Sequence, residues 1–67
     1  MFIFSKNLKS LRIEHNLSQT QVGNKLGVTQ STIAKWESNE REPSLEMLVQ
    51  IANIFNISTD YLLGLSD

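Results

Sequence analysis

The stretch LSQTQVGNKLGVTQSTIAKWE, residues 17–37, holds two helix starts and one turn within twenty-one positions. Ser18 opens a capping box with Gln21: a serine oxygen accepts the amide of the third helical residue while the glutamine side chain reaches back to the cap. Val22 and Leu26, four apart, form the buried pair of this helix, and Gly27 ends it by taking the left-handed backbone at little cost. Thr29 caps a following helix, expected over about 29–38, whose apolar positions Ile33 and Trp36 lie three apart. It should end near Ser38 or Asn39. Two short helices that cross steeply need a small residue where the backbones approach, a glycine between them and apolar side chains on the mutual face. Gly23, Gly27 and the set Val22, Leu26, Val28, Ile33 and Trp36 meet those needs.

This is helix-turn-helix spacing, and it leaves one face of the second helix without a partner. At 100° per residue Ile33 and Trp36 point to one side, while Gln30, Ser31, Ala34 and Lys35 share the other. A glutamine can bridge N6 and N7 of adenine, a lysine can reach O6 and N7 of guanine, and a serine can donate or accept at either. Thr32 lies at the edge, where its hydroxyl could reach a phosphate or its methyl group a thymine methyl. Gln19, at the start of the preceding helix, is placed to face phosphate. Trp36, at an apolar position, is expected in the core.

Outward from this stretch, Phe4, Leu8 and Leu11 step by four and three along a first helix from about Phe4 to Asn16. ESNEREP, residues 37–43, carries charge, a turn-tolerant Asn39 and the only proline, and reads as an exposed loop. Ser44 caps a fourth helix with Glu46 in its first turn, where the helix dipole favours a carboxylate. Leu45, Leu48, Val49, Ala52 and Phe55 make the expected core stripe of that helix. Met47, Ile51 and Ile54 fill much of its other side, so two of its faces should be covered. Ser58 and Gly64 bracket a last short helix, with Asp60 in its first turn. Ile57, Tyr61 and Leu65 are expected to close the core beneath the fourth helix. The sequence therefore describes an all-α domain of five helices, a single domain over 1–67.

Sixty-seven residues bury a small core, and pairing with a second copy would add stability. With no cysteine there is neither a disulfide frame nor a cysteine zinc site, as suits a reducing interior. The apolar start MFIF meets Ser5 and Lys6 at once, too short for a signal peptide or a membrane span. A cytoplasmic protein is expected, associated with the nucleoid when bound to DNA. The formal net charge is −1, but it is unevenly spread: residues 1–37 carry +3 and residues 38–67 carry −4. One face could meet phosphate while the other does not. The lone histidine, His15, is expected to be an ordinary exposed side chain.

Taken together, LSQTQVGNKLGVTQSTIAKWE, REPS and ISTDYLLG resemble the phage-repressor and Cro class of regulators, the XRE family, over about residues 4–65. The resemblance implies a compact five-helix DNA-binding domain that meets operator DNA as a homodimer, with the third helix in the major groove. It implies base contacts by Gln30, Ser31 and Lys35, and backbone or supporting contacts by Gln19, Thr29, Thr32, Ser38, Asn39 and Arg41. It also implies a structural ion pair of Arg12 with Glu37, and a dimer contact at Ile57, Tyr61 and Leu65. Asn39 stands where members usually have glycine, and asparagine tolerates the left-handed backbone. The following loop is often basic in the family, whereas here Glu40 and Glu42 flank Arg41, which implies weaker hold on the DNA backbone.

The leading expectation is a sequence-specific transcriptional regulator, a repressor on a palindromic operator. The alternative is a protein-interaction module, such as an antitoxin-like or adaptor domain, favoured by the acidic half. No enzyme is expected, since no nucleophile elbow, glycine-rich loop after a strand or metal cluster is present. Catalytic residues, cofactor, metal, membrane and small-molecule ligand are all expected to be absent.

Overall fold

The computed structural model describes residues 3–66; Met1 and Phe2 of the apolar start, and Asp67 of the acidic half, lie outside the described residues. The element order is α1 (Phe4–Glu14), α2 (Gln19–Leu26), α3 (Gln30–Glu37), α4 (Leu45–Ile54) and α5 (Thr59–Leu63). No strand occurs among the described residues.

The starts of α2 to α5 are set by side-chain caps. Ser18, Thr29, Ser44 and Ser58 each hold extended backbone and accept the amide of the residue three ahead, and Ser18 and Gln21 complete the capping box. The stops are set by left-handed residues: Gly27 at φ 74° and Gly64 at φ 79°, with Asn16, Asn39 and Asn56 between φ 55° and 66°. Asparagine is the residue other than glycine that visits this region most readily.

Phe4, Leu8 and Leu11 of α1, Val22 and Leu26 of α2, and Ile33 and Trp36 of α3 form one buried cluster with Ile51, Ala52, Phe55 and Leu62. Phe4 and Trp36 meet edge to face, with ring centroids 6.5 Å apart. α2 packs most extensively on α3, and α1 lies against α3 and α5. Asn7 fastens that second contact by donating its carboxamide to the carbonyls of Tyr61 and Leu62, each at 3.1 Å.

Two expectations about the C-terminal half are corrected. The buried stripe of α4 is Ile51, Ala52 and Phe55, with Met47 and Leu48 half-buried, whereas Leu45 is 84% exposed and Val49 and Ile54 also face outward. α4 meets α2 and α5; its covered residues Met47, Leu48, Ile51 and Ala52 share one side of the helix, whereas Leu45, Glu46, Val49, Gln50, Asn53 and Ile54 are exposed, so the helix is not covered on two faces. Leu62, fully buried, closes the core in α5, together with half-buried Ile57 and Leu63; Tyr61 and Leu65 lie at the surface.

Candidate nucleic-acid interface

The α2–α3 crossing depends on Gly23. A Cβ placed there would stand 2.7 Å from the carbonyl oxygen of Val28, in a position that only glycine leaves open. The amide of Val28 donates to Gly23 O at 2.9 Å, closing the turn. α3 therefore sits with Ile33 and Trp36 driven inward and its opposite side held out.

On that outer side Gln30, Ser31 and Lys35 are exposed, and Ala34 is half-buried between them. Thr29 and Thr32 share a hydroxyl hydrogen bond of 2.9 Å at the N-terminal end. Lys35, Thr32 and Arg41 line one open hollow of about 320 Å³ between α3 and the following loop. Two cations thus border the exposed face, with the acidic Glu42 in the same lining. The loop turns back on α3: the amides of Glu40 and Arg41 both donate to Lys35 O, at 2.9 and 3.3 Å. Ser38 donates its hydroxyl to Glu40 at 2.6 Å, so this side chain is engaged within the loop. Asn39 takes φ 66°, the left-handed conformation expected of it.

Beneath the exposed face lies a polar network. Arg12 donates from Nε to Glu37 Oε2 at 2.7 Å and from Nη2 to Glu37 Oε1 at 3.1 Å, a two-point pair that joins α1 to α3. Its Nη1 donates to Leu17 O at 3.0 Å, so each of the three guanidinium nitrogens has a partner within the domain. The hydrogen bond to Glu37 is the chief cause that raises the Arg12 pKa above its ordinary value, against the opposing effect of burial. Gln19 donates from Nε2 to Glu37 Oε1 at 3.1 Å, and its Oε1 accepts from Gln30 Nε2 at 2.6 Å.

Four side chains from three helices therefore form one chain of bonds ending at Gln30. The links of Gln19 to Glu37 and Gln30 were missed in the sequence. The available signal was that both glutamines open their helices on either side of a tight turn. His15 is exposed as expected, and its ring also meets the edge of Phe55, at 5.0 Å between centroids. The described residues contain no group of three or more His, Cys, Asp or Glu side chains that could hold a metal ion, and no helix long and apolar enough to cross a membrane.

Ile57, Tyr61 and Leu65 lie in and beside α5, and none of them lines the hollow next to α3. Ile57 leans on the core, while Tyr61 and Leu65 are 40% and 62% exposed.

With this geometry in place, the chain can be set beside known proteins. The helix-turn-helix family profile matches residues 8–62. The chain belongs to this phage-repressor-like family. It is 34% identical over 65 residues to the uncharacterized HTH-type transcriptional regulator YobD of Bacillus subtilis, covering 97% of this chain and 58% of that protein. Among solved structures it superposes on a transcriptional regulator from Listeria innocua with a TM-score of 0.93 at 34% identity, covering 100% of this chain and 63% of that one. It superposes on the P22 c2 repressor, solved with a synthetic operator, with a TM-score of 0.88 at 27% identity, covering 98% of this chain and 100% of that one. The chain spans about half the length of the curated relatives it matches.

Proposed function

We propose that the chain is a sequence-specific double-stranded DNA-binding transcriptional regulator that acts as a repressor. α3 lies in the major groove, and two copies occupy a palindromic operator in the cytoplasm, on the nucleoid. The observation that carries this reading is the outer face of α3: polar, exposed, and steadied at Gln30 by a network that begins in α1. The family and the operator-bound P22 c2 relative support it.

In this reading Gln30 bridges adenine, Lys35 reaches guanine, and Ser31 contacts an adjoining base edge. Gln19, Thr29, Thr32, Asn39 and Arg41 serve the phosphates, with Ser38 supporting the loop. Glu40 and Glu42 weaken the general attraction, so base contacts carry a larger share of the affinity. The domain measures 27 × 23 × 20 Å. One turn of B-DNA is roughly 34 Å, so one copy serves one half-site and a palindrome takes two. Tyr61 and Leu65, with Ile57 at the margin, supply the contact between copies.

Selection of random duplexes by the purified protein at two salt concentrations tests this. A palindromic consensus with steep salt dependence is expected. Failure to enrich any sequence at low salt would overturn the reading in favour of a protein partner.

A further inference from the structure

Resting on the reading of Gln30 as a base-contacting residue, we infer that the Arg12–Glu37 pair sets the base preference of α3 by fixing the donor and acceptor sense of the Gln19–Gln30 amides. Neither residue needs to touch DNA to do so. Both are positioning residues.

The inference follows from what each group can donate. A carboxylate held by arginine only accepts hydrogen bonds. Glu37, with its side chain 5% exposed and gripped at two points by Arg12, therefore obliges Gln19 to present Nε2. The carbonyl end of Gln19 must then face Gln30. Gln30 must in turn offer Nε2 to it, as the 2.6 Å bond records. One N–H and the Oε1 of Gln30 remain, in a fixed order, for a base edge. Adenine shows an acceptor at N7 beside a donor at N6, which matches that order. Guanine shows two acceptors, N7 and O6, which sets oxygen against oxygen. Gln19 keeps its second N–H free, so the relay is compatible with a phosphate contact from the same amide.

Removal of the acceptor makes the logic testable. Glu37 Oε1 accepts from Arg12 Nη2 as well as from Gln19 Nε2, each at 3.1 Å, so the hold on Gln19 lies in that one oxygen. In Glu37→Leu nothing accepts from Gln19 Nε2, and neither amide is held to one sense.

The experiment measures affinity of the full chain for the selected operator duplex and for three versions changed at the base pair that Gln30 reads. The readout is the ratio of affinity for A·T to that for each alternative, which a loss of folded protein does not alter. Glu37→Leu is expected to reduce this ratio at least about fivefold. Gln19→Leu, which leaves the Arg12–Glu37 pair intact and cuts the relay, is expected to reduce it similarly. Unchanged ratios with uniformly weaker binding would overturn the proposal and leave the pair a purely structural pin.

Side-chain ¹⁵N relaxation of Gln30 Nε2 without DNA separates the two layers of the argument. An order parameter above about 0.6 in the wild type, falling below it in Gln19→Leu, supports the relay even if the DNA reading fails. A mobile Gln30 amide in the wild type overturns the relay even if DNA binds.

Discussion

An added Cβ at Gly23 would meet backbone on the far side of the turn, Val28 O at 2.7 Å and Thr29 C and O at 3.3 Å, so no side-chain rotation could relieve it. Gly23→Ala is expected to destabilise the domain by about 1–3 kcal/mol, the cost of overpacking, and to tilt α3 from its bed. Chemical denaturation measures the first, and loss of duplex affinity beyond the unfolded fraction the second. Wild-type stability in Gly23→Ala would contradict the close crossing. The role of this glycine was legible because a small residue between Val22 and Leu26 has an evident packing purpose. The hydrogen bond between Gln19 and Gln30 was not: it joins residues eleven apart, on helices whose crossing is set by other side chains.

At the scale of elements, local chemistry marks boundaries better than it marks faces. Ser18, Thr29, Ser44 and Ser58 fix the starts of α2 to α5 through bonds that span only three residues, so the sequence contains the whole interaction. α4 is different. Leu45, Met47, Leu48, Val49, Ile51, Ala52 and Ile54 leave it apolar on most sides, and periodicity alone does not choose among several possible stripes. The choice is made by where α2 and α5 lie. α1 and α3 are joined by Arg12 and Glu37, and Arg12→Ala would leave the Glu37 carboxylate enclosed without its cation. A loss of about 3 kcal/mol is expected, a large part of the roughly 3–10 kcal/mol available to a domain this small. Thermal and urea unfolding measure it, and a loss below about 1 kcal/mol would contradict the buried-pair reading. The pKa of Arg12 is raised on folding. The stability it brings is therefore complete below the ordinary arginine value and fades only as pH rises through the higher folded value. Mild alkali should leave this pin in place.

For the whole molecule, the charge split along the sequence does not divide into two faces at α3: Lys35 of the basic half shares one hollow with Arg41 and Glu42 of the acidic half. Lys35 and Arg41 border the exposed side of α3, and Tyr61 and Leu65 leave apolar surface on the C-terminal element. The double substitution Tyr61→Ser with Leu65→Ser should change monomer stability by about 1–2 kcal/mol, since neither side chain belongs to the buried cluster although Tyr61 is partly covered. It should lower the affinity of the second copy on a palindrome at least about tenfold if two copies meet there. Sedimentation on operator DNA reads both stoichiometry and cooperativity. Unaltered two-copy assembly in the double variant would place the contact elsewhere, and one copy per palindrome in the wild type would remove it. The most direct measurement is a pair of binding isotherms, wild type and Gln30→Ala, on the selected operator and on a duplex of scrambled sequence. Gln30→Ala should weaken operator binding by about 1–3 kcal/mol and leave the scrambled duplex nearly unaffected. Equal losses on the two duplexes would contradict base reading by α3.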